Sequence, residues 1–225
     1  MNNKYNMSLE ENMFLAKRNL VDNIYSNARM EGLNVTFPQT KTILEGINVP
    51  ELKIDEIQCI LNLRDAWKYV LNNIKEEFNL EFICKINEFV ARNESLAWGK
   101  LRNGKVEITG TSYIPEVPDE MTVRKNIEKI LKIENTTERA IEYMLYGMRN
   151  QLFWDGNKRT STIAANKIMI ENGNGIIKIP DNKLEEFTVL LSEFYSTNNK
   201  EEIKQFIFDN CIDGIKINYW QYPPN

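Results

Sequence analysis

Two stretches with helical spacing, Glu138 to Asn150 and Ile163 to Glu171, are joined by Gln151-Leu152-Phe153-Trp154-Asp155-Gly156-Asn157-Lys158-Arg159-Thr160. This helix, loop and helix constrain the chain more than any other feature. Ile141, Met144, Leu145 and Met148 mark the first apolar stripe, and Ile163 and Ile170, with small residues between, mark the second. The connector holds an acid, a glycine, an amide and two cations in a row. Backbone N–H groups at a helix start point outward, and the helix dipole favours an anion there. Lys158 and Arg159 add positive charge, and a guanidinium can grip a phosphate with two parallel bonds. Asp155 is a hard oxygen ligand suited to Mg²⁺ between phosphates, and Gly156 allows close backbone approach or positive φ. These features read together as a nucleotide-phosphate loop. An ordinary Asp-Gly-Asn turn beside a solvated basic pair would use the same residues.

The remaining helical signals assemble around this loop. Ser8 and Glu11 form a capping-box pattern at the start of a helix expected to run to Met30, with Leu20, Ile24 and Ala28 on one stripe. Glu31 continues that stripe, so it points at whatever the stripe packs against and requires a partner there; a helix that ends at Gly32 would instead leave Glu31 exposed at a frayed terminus. A helix over Gln39 to Leu44 ends at Gly46. Longer helices are expected from Lys53 to Ile74 and from Glu76 to Asn93. Asn103-Gly104, followed by alternating Val106 and Ile108 and then Thr109-Gly110-Thr111, predicts a β-hairpin with a primed turn. Asp181 is read as the cap of a helix reaching Tyr195, and a last helix spans Lys200 to Cys211. The aromatic tail Tyr219 to Asn225 reads as a surface or partner contact. The fold class is all-α with one β-hairpin, organised as a single domain over residues 1–225.

Composition narrows the functional classes. A net charge of −4 and a pI near 5.2 argue against nucleic acid as the main partner. Cys59, Cys84 and Cys211 are widely spaced, form no metal-ligand pair and are expected to be reduced core residues. The polar start lacks an apolar leader and no run approaches membrane-spanning length, so a cytoplasmic protein with no membrane partner is expected.

The loop resembles the signature of Fic proteins, which runs His, any residue, Phe, any residue, Asp or Glu, Gly, Asn, Gly or Lys, Arg, often with a second Arg three residues on. Phe153, Asp155, Gly156, Asn157, Lys158 and Arg159 match. The histidine position holds Gln151 and the second arginine position holds Thr162, and the chain contains no histidine at all. Asn27 to Gly32 is similar to the N-terminal inhibitory segment of that family, with Glu31-Gly32 matching and Asn27 at the Ser/Thr position. The resemblance implies a helical Fic core over 76–215, preceded by an inhibitory-type helical segment over 8–75. The hairpin falls where the family carries a flap that docks its protein target as an added strand, which would put Val106, Ile108, Thr109, Gly110 and Thr111 against the target.

The resemblance further implies AMP transfer from ATP to a protein hydroxyl, with ATP and Mg²⁺ as cofactors and a nucleotide and a protein target as partners. It leaves a homo-oligomer open. Residue by residue, Asp155 would hold the metal. Gly156, Asn157, Lys158, Arg159 and Thr160 would hold phosphates, and Phe153 would anchor the loop. Glu31 is the inhibitory position, although the arginine it would pair with is Thr162 here. Gln151, Asn157 and Arg159 occupy the catalytic positions. An amide has no titratable acceptor near neutral pH, so Gln151 cannot be a general base as imidazole is. The implied activity is therefore slow or atypical. A nucleotide- or target-binding module without turnover is one alternative. Another is phosphoryl transfer like that of Doc toxins, which Lys158 in place of Gly also resembles.

Overall fold

The computed structural model describes residues 1–216, so the aromatic tail from Tyr219 lies outside the described residues. Among the described residues ten α-helices follow one another: α1 Leu9–Arg18, α2 Leu20–Met30, α3 Phe37–Leu44, α4 Ile54–Asn72, α5 Leu80–Val90, α6 Glu120–Leu131, α7 Thr136–Asn150, α8 Asn157–Glu171, α9 Leu184–Thr197 and α10 Glu201–Asn210. A short antiparallel pair, β1 Ile176–Ile177 and β2 Ile212–Asp213, closes the far end with Ile176 opposite Asp213 and Ile177 opposite Ile212. The fold is mostly helical, as expected, with this two-stranded sheet near its C-terminal end.

The helix starts are written in local chemistry. Ser8 and Glu11 bond reciprocally to each other's backbone at α1, and Thr36 and Gln39 do the same at α3. Asn79, Asp119 and Asn135 each accept from the N–H three residues on at α5, α6 and α7.

At the centre lies α8, buried from Arg159 through Ile170. It packs against α7 on one side and is surrounded by α1, α2, α4 and α5. A helix buried on all sides shows no amphipathic stripe, which is why small and apolar residues alternate in it without a clear face. Side-chain amides complete its surroundings. Asn166 bonds both N–H and C=O of Ile177, at 2.8 Å each, and so acts as a third strand for β1. Asn12 does the same for Gly175.

Four expectations change. The helix read from Ser8 to Met30 is two helices broken at Asn19, whose φ and ψ of −96° and 16° leave the helical region; asparagine competes for local backbone bonds and favours such junctions. The helix read from Glu76 begins only at Leu80, because Asn79 is extended and caps it. Asp181 does not cap α9. It opens a 3₁₀ turn, Asp181–Lys183, and its carboxylate is taken by Arg29 Nε at 3.0 Å.

The fourth change concerns residues 101–118, which form no strand ladder. Gly104 does not take positive φ, so the primed turn is absent. Glycine is needed there for space: a Cβ would meet the indole of Trp154 at 2.5 Å. The chain reverses instead at Thr109-Gly110, where Gly110 has a φ of +86° and Thr111 N–H reaches the Ile108 carbonyl at 3.4 Å. α6 and the β1–β2 pair carry no expectation from the sequence.

Candidate functional site

The loop between α7 and α8 is closed on itself by one side chain. Asn157 Oδ1 accepts from Phe153 N–H at 2.9 Å. Its Nδ2 donates to Phe153 C=O at 2.8 Å and to Gln151 Oε1 at 3.0 Å. Gln151 is in the left-handed region, with φ +45° and ψ 64°, where it ends α7. Its own Nε2 donates to the Met148 carbonyl at 2.6 Å. The amide at the position expected to hold a base is therefore bonded at both ends.

Phe153 and Leu152 fill the core beneath. Gly156, at φ +71°, is the N-cap of α8, and no side chain caps that end. Asp155 Oδ1 accepts the Gly156 N–H, while the rest of its side chain is half exposed. Asn87, buried on α5, fixes the loop from behind by donating to Asp155 C=O at 3.0 Å and to Thr160 Oγ1 at 3.2 Å. A left-handed glycine, an uncapped helix start and a protruding carboxylate are thus held together.

The cations are engaged. Lys158 Nζ donates to the Met30 carbonyl at 2.9 Å and lies 3.4 Å from Glu31 Oε1. Arg159, only 2% exposed, has three carboxylates around it: Glu94 Oε2 at 2.6 Å, Asp155 Oδ1 at 3.4 Å and Glu31 Oε2 at 3.5 Å. Its terminal nitrogen also reaches Cys59 Sγ at 3.0 Å. Burial works against the Arg159 charge, but Glu31, Cys59 and Glu94 outweigh it and raise its pKa above the usual guanidinium value. Burial pushes the Cys59 thiol up to about 12, with Arg159 opposing. Glu31 does face the loop, as its place on the α2 stripe implied. It ends α2 and pairs by charge alone, since its buried Oε1 and Arg159 Nε both lack a hydrogen-bond partner. Thr162, fully buried, donates to the Lys158 carbonyl at 2.9 Å.

Three contributors had gone unread. Glu94 is Arg159's tightest partner and is itself oriented by buried Asn62, which donates to Oε1 at 2.7 Å. Nothing in the spacing of Glu94 announces this. Asn87 is a polar residue on the apolar face of α5, the same kind of signal that singled out Glu31. Arg102, 1% exposed, has no carboxylate partner among the described residues. Its guanidinium instead donates to the carbonyls of Gly104, Glu116 and Gln151, and to those of Pro115 at 3.3 Å and Asn150 at 3.4 Å. Its backbone N–H donates to Leu152 C=O at 3.0 Å. The C-terminal end of α7 is the negative end of a helix dipole, which favours a cation there. Burial lowers the Arg102 pKa from its usual value.

Arg102 thus ties both arms of the 103–116 segment to the start of the loop. The segment's tip rests on α9, where Ser192 Oγ donates to Gly110 C=O at 3.3 Å and Thr111 Oγ1 meets Ser196 Oγ at 2.9 Å. Val106 and Ile108 are partly covered and Thr109 is exposed.

A cleft of about 440 Å³ opens beside Arg159. Glu31, Asp55, Glu56, Glu94 and Asp155 line it, against the single cation Arg159. Among the described residues, no group of three acidic or thiol side chains converges as a metal site. Asp155 would therefore meet a metal only alongside ligand oxygens and water.

Residues 77–169, from the end of the α4–α5 connection to Met169 in α8, match the family described as Fic/DOC. The loop and its supports thus lie in a segment that carries the Fic/DOC pattern. The match holds the whole loop with Glu94, Arg102 and Asn87, and stops short of α2 and Glu31. A protein adenylyltransferase Fic of Drosophila persimilis is 25% identical over 194 residues, covering 82% of this chain and 37% of its own length. The chain thus spans about two fifths of that curated relative. Among solved structures, Fic-1 (residues 134–508) from C. elegans superposes with a TM-score of 0.70 at 22% identity, covering 86% of this chain and 60% of that one. A Fic domain containing signaling protein from Bacteroides thetaiotaomicron gives 0.70 at 17% identity, covering 90% and 85%. At these identities the two structures establish the Fic fold. No helix among the described residues is long and apolar enough to cross a membrane.

Proposed function

We propose that this chain is a Fic-type protein adenylyltransferase of slow turnover, which binds ATP with Mg²⁺ at the 155–160 loop and modifies a protein hydroxyl presented along residues 106–111. The carrying observation is Gln151: the residue beside the loop's closing Asn157 is an amide bonded to Asn157 and Met148, with no titratable acceptor.

The residues present fit a Mg-nucleotide. Gly156 leaves the α8 start open, with no N-cap side chain bonding the first-turn N–H groups of α8, and Asp155 extends a half-exposed carboxylate. Five carboxylates line the adjoining cleft, so a bare polyphosphate would be repelled and one neutralised by Mg²⁺ admitted. Bound ATP would supply the activated phosphoanhydride from which AMP is transferred. Asp155 would take the metal alongside phosphate oxygens and water. The α8 N–H groups and Lys158 would hold phosphate, and Arg159 would do so once released from its carboxylates. Gln151 can accept a hydrogen bond from a target hydroxyl and orient it, but it cannot remove the proton near neutral pH. Charge neutralisation and positioning do much of the work in phosphoryl-type transfers, which supports slow transfer rather than none.

The engaged state of Gln151 and Arg159 also favours a second reading, a Fic module that binds nucleotide or target without turnover. Transfer of label from α-³²P ATP supports the first reading and transfer from γ-³²P ATP a Doc-like phosphotransfer. Binding without either supports the module. Calorimetry with and without Mg²⁺ tests the base of all three: Mg-dependent ATP binding weakened by Gly156→Val and Asp155→Ala is expected, and no binding would refute the nucleotide reading. Residues 8–75, with Glu31 at the loop, are proposed as a regulatory segment on a single domain.

A further inference from the structure

A second cavity, of about 400 Å³, opens between α6, α7 and the end of α9, and none of its lining residues belongs to the 151–160 loop. That volume suits a small ligand. Its apolar surface comes from Ile130, Ile133, Leu145 and Phe194, and Lys129, Arg149 and Lys200 bring positive charge to it. The one acid in the lining, Glu142, is held by Lys200 and by Lys204, which bonds it at 2.8 Å. Lys129 and Arg149 have no carboxylate partner among the described residues. The chain as a whole carries −4, so a cavity with surplus cations departs from its surroundings.

Arg149 is also fixed in orientation. Its Nε donates to the Tyr195 carbonyl at 3.3 Å. Its guanidinium carbon sits 3.7 Å from the centroid of the Tyr113 ring and 5.9 Å from that of Phe194. The α7 dipole accounts for a cation in the last turn. It does not account for a guanidinium stacked and anchored with its terminal nitrogens unpaired by any carboxylate, in a cavity that a second unpaired cation also lines. Such a fork is ready for an oxyanion, and the apolar wall is ready for what the oxyanion is attached to.

We propose that this cavity binds a small oxyanion carrying an apolar body, namely a carboxylate or phosphate monoester on an aromatic or branched aliphatic group. Tyr113 belongs to the segment that Arg102 ties to the loop, so an occupant gripping Arg149 would also steady the outgoing arm of that segment. The site is separate from the proposed nucleotide loop and does not depend on it.

The test is titration of phenyl phosphate into the full chain, followed by calorimetry, with phenol, inorganic phosphate and benzoate in parallel. Phenyl phosphate or benzoate is expected to bind, with phenol and inorganic phosphate each weaker. Losing the charged bonds should lower affinity about tenfold in Arg149→Gln and in Lys129→Glu, while Lys158→Ala leaves it unchanged. Lys129 is exposed, so its variant keeps the test valid if Arg149→Gln fails to fold. Absence of binding by both apolar oxyanions would overturn the proposal. So would binding that survives both cavity variants, or binding that disappears with Lys158→Ala and so belongs to the loop.

Discussion

Replacing Gln151 with histidine should raise AMP transfer by about 10²- to 10³-fold, the lower part of the range a general base contributes. The backbone accepts the change: Gln151 sits at φ +45°, a region where histidine is among the enriched residues. An imidazole at this position can donate from one nitrogen to the Met148 carbonyl, now bonded by Gln151 at 2.6 Å. The other nitrogen is left as a proton acceptor. The change also removes the Gln151–Asn157 bond of 3.0 Å, a loss of about 1 kcal/mol. Asn157 keeps both bonds to Phe153, so the loop should hold. The gain stays below 10⁴ because Arg159 is enclosed by three carboxylates and Thr162 supplies no second cation. A hundredfold gain corresponds to about 2.7 kcal/mol in the barrier. The assay is label transfer from α-³²P ATP, with intact mass confirming a single AMP adduct. If the wild type transfers AMP and the histidine variant is no faster, the premise that the missing acceptor limits the reaction is wrong. If both bind Mg-ATP and neither transfers, the module without turnover is the better description.

Glu94 makes the shortest carboxylate contact to Arg159, at 2.6 Å, so Glu94→Gln should tighten Mg-ATP binding about tenfold in calorimetry, while Glu31→Gln should change it less; the reverse order would return control to Glu31. Arg102→Met should lower stability by about 3 kcal/mol, or roughly 6–12 °C in thermal midpoint, and should accelerate amide exchange over 103–116 before the helices; unchanged exchange there would remove its tethering role. Glu142 contributes to stability at neutral pH. Burial raises its pKa, but the bonds from Lys200 and Lys204 prevail and hold it below the ordinary value of 4.5. Its contribution is therefore complete above that value and lost as pH falls through the lowered one. Urea unfolding at pH 7 and pH 3 should show a smaller difference in Glu142→Gln than in wild type, and an equal difference would refute this.

The central loop was legible because its chemistry is contiguous: acid, glycine, amide and cations follow in order, and the flanking helices carry clear periodicity. Glu31 was legible for a related reason, since a charge that continues an apolar stripe must meet something. What stayed hidden depends on distance along the chain. Glu94 reaches Arg159 only because α5 and α8 lie side by side, and the partners of Arg102 are carbonyls, which every residue possesses and no sequence marks. The hairpin expectation failed because Asn-Gly signals a turn through its local preference, whereas here Gly104 makes room for Trp154. β1 and β2 are two residues each, too short for any alternation to show.

Residues near the amino terminus close the far end of α8. Met7 N–H bonds the Gly173 carbonyl at 2.8 Å, Asn174 bonds the Tyr5 carbonyl at 2.8 Å, and Asn12 grips Gly175. During synthesis residues 5–12 leave the ribosome long before 173–175 exist. Met7, Leu15 and Ala16, all buried in the finished fold, must wait without their partners. Synthesis proceeds at about 5–20 residues per second, so that wait lasts on the order of ten seconds. The loop helix acquires its final neighbours only after most of the chain has been made. An intermediate trapped in that interval would carry Met7, Leu15 and Ala16 without the α8 neighbours that bury them.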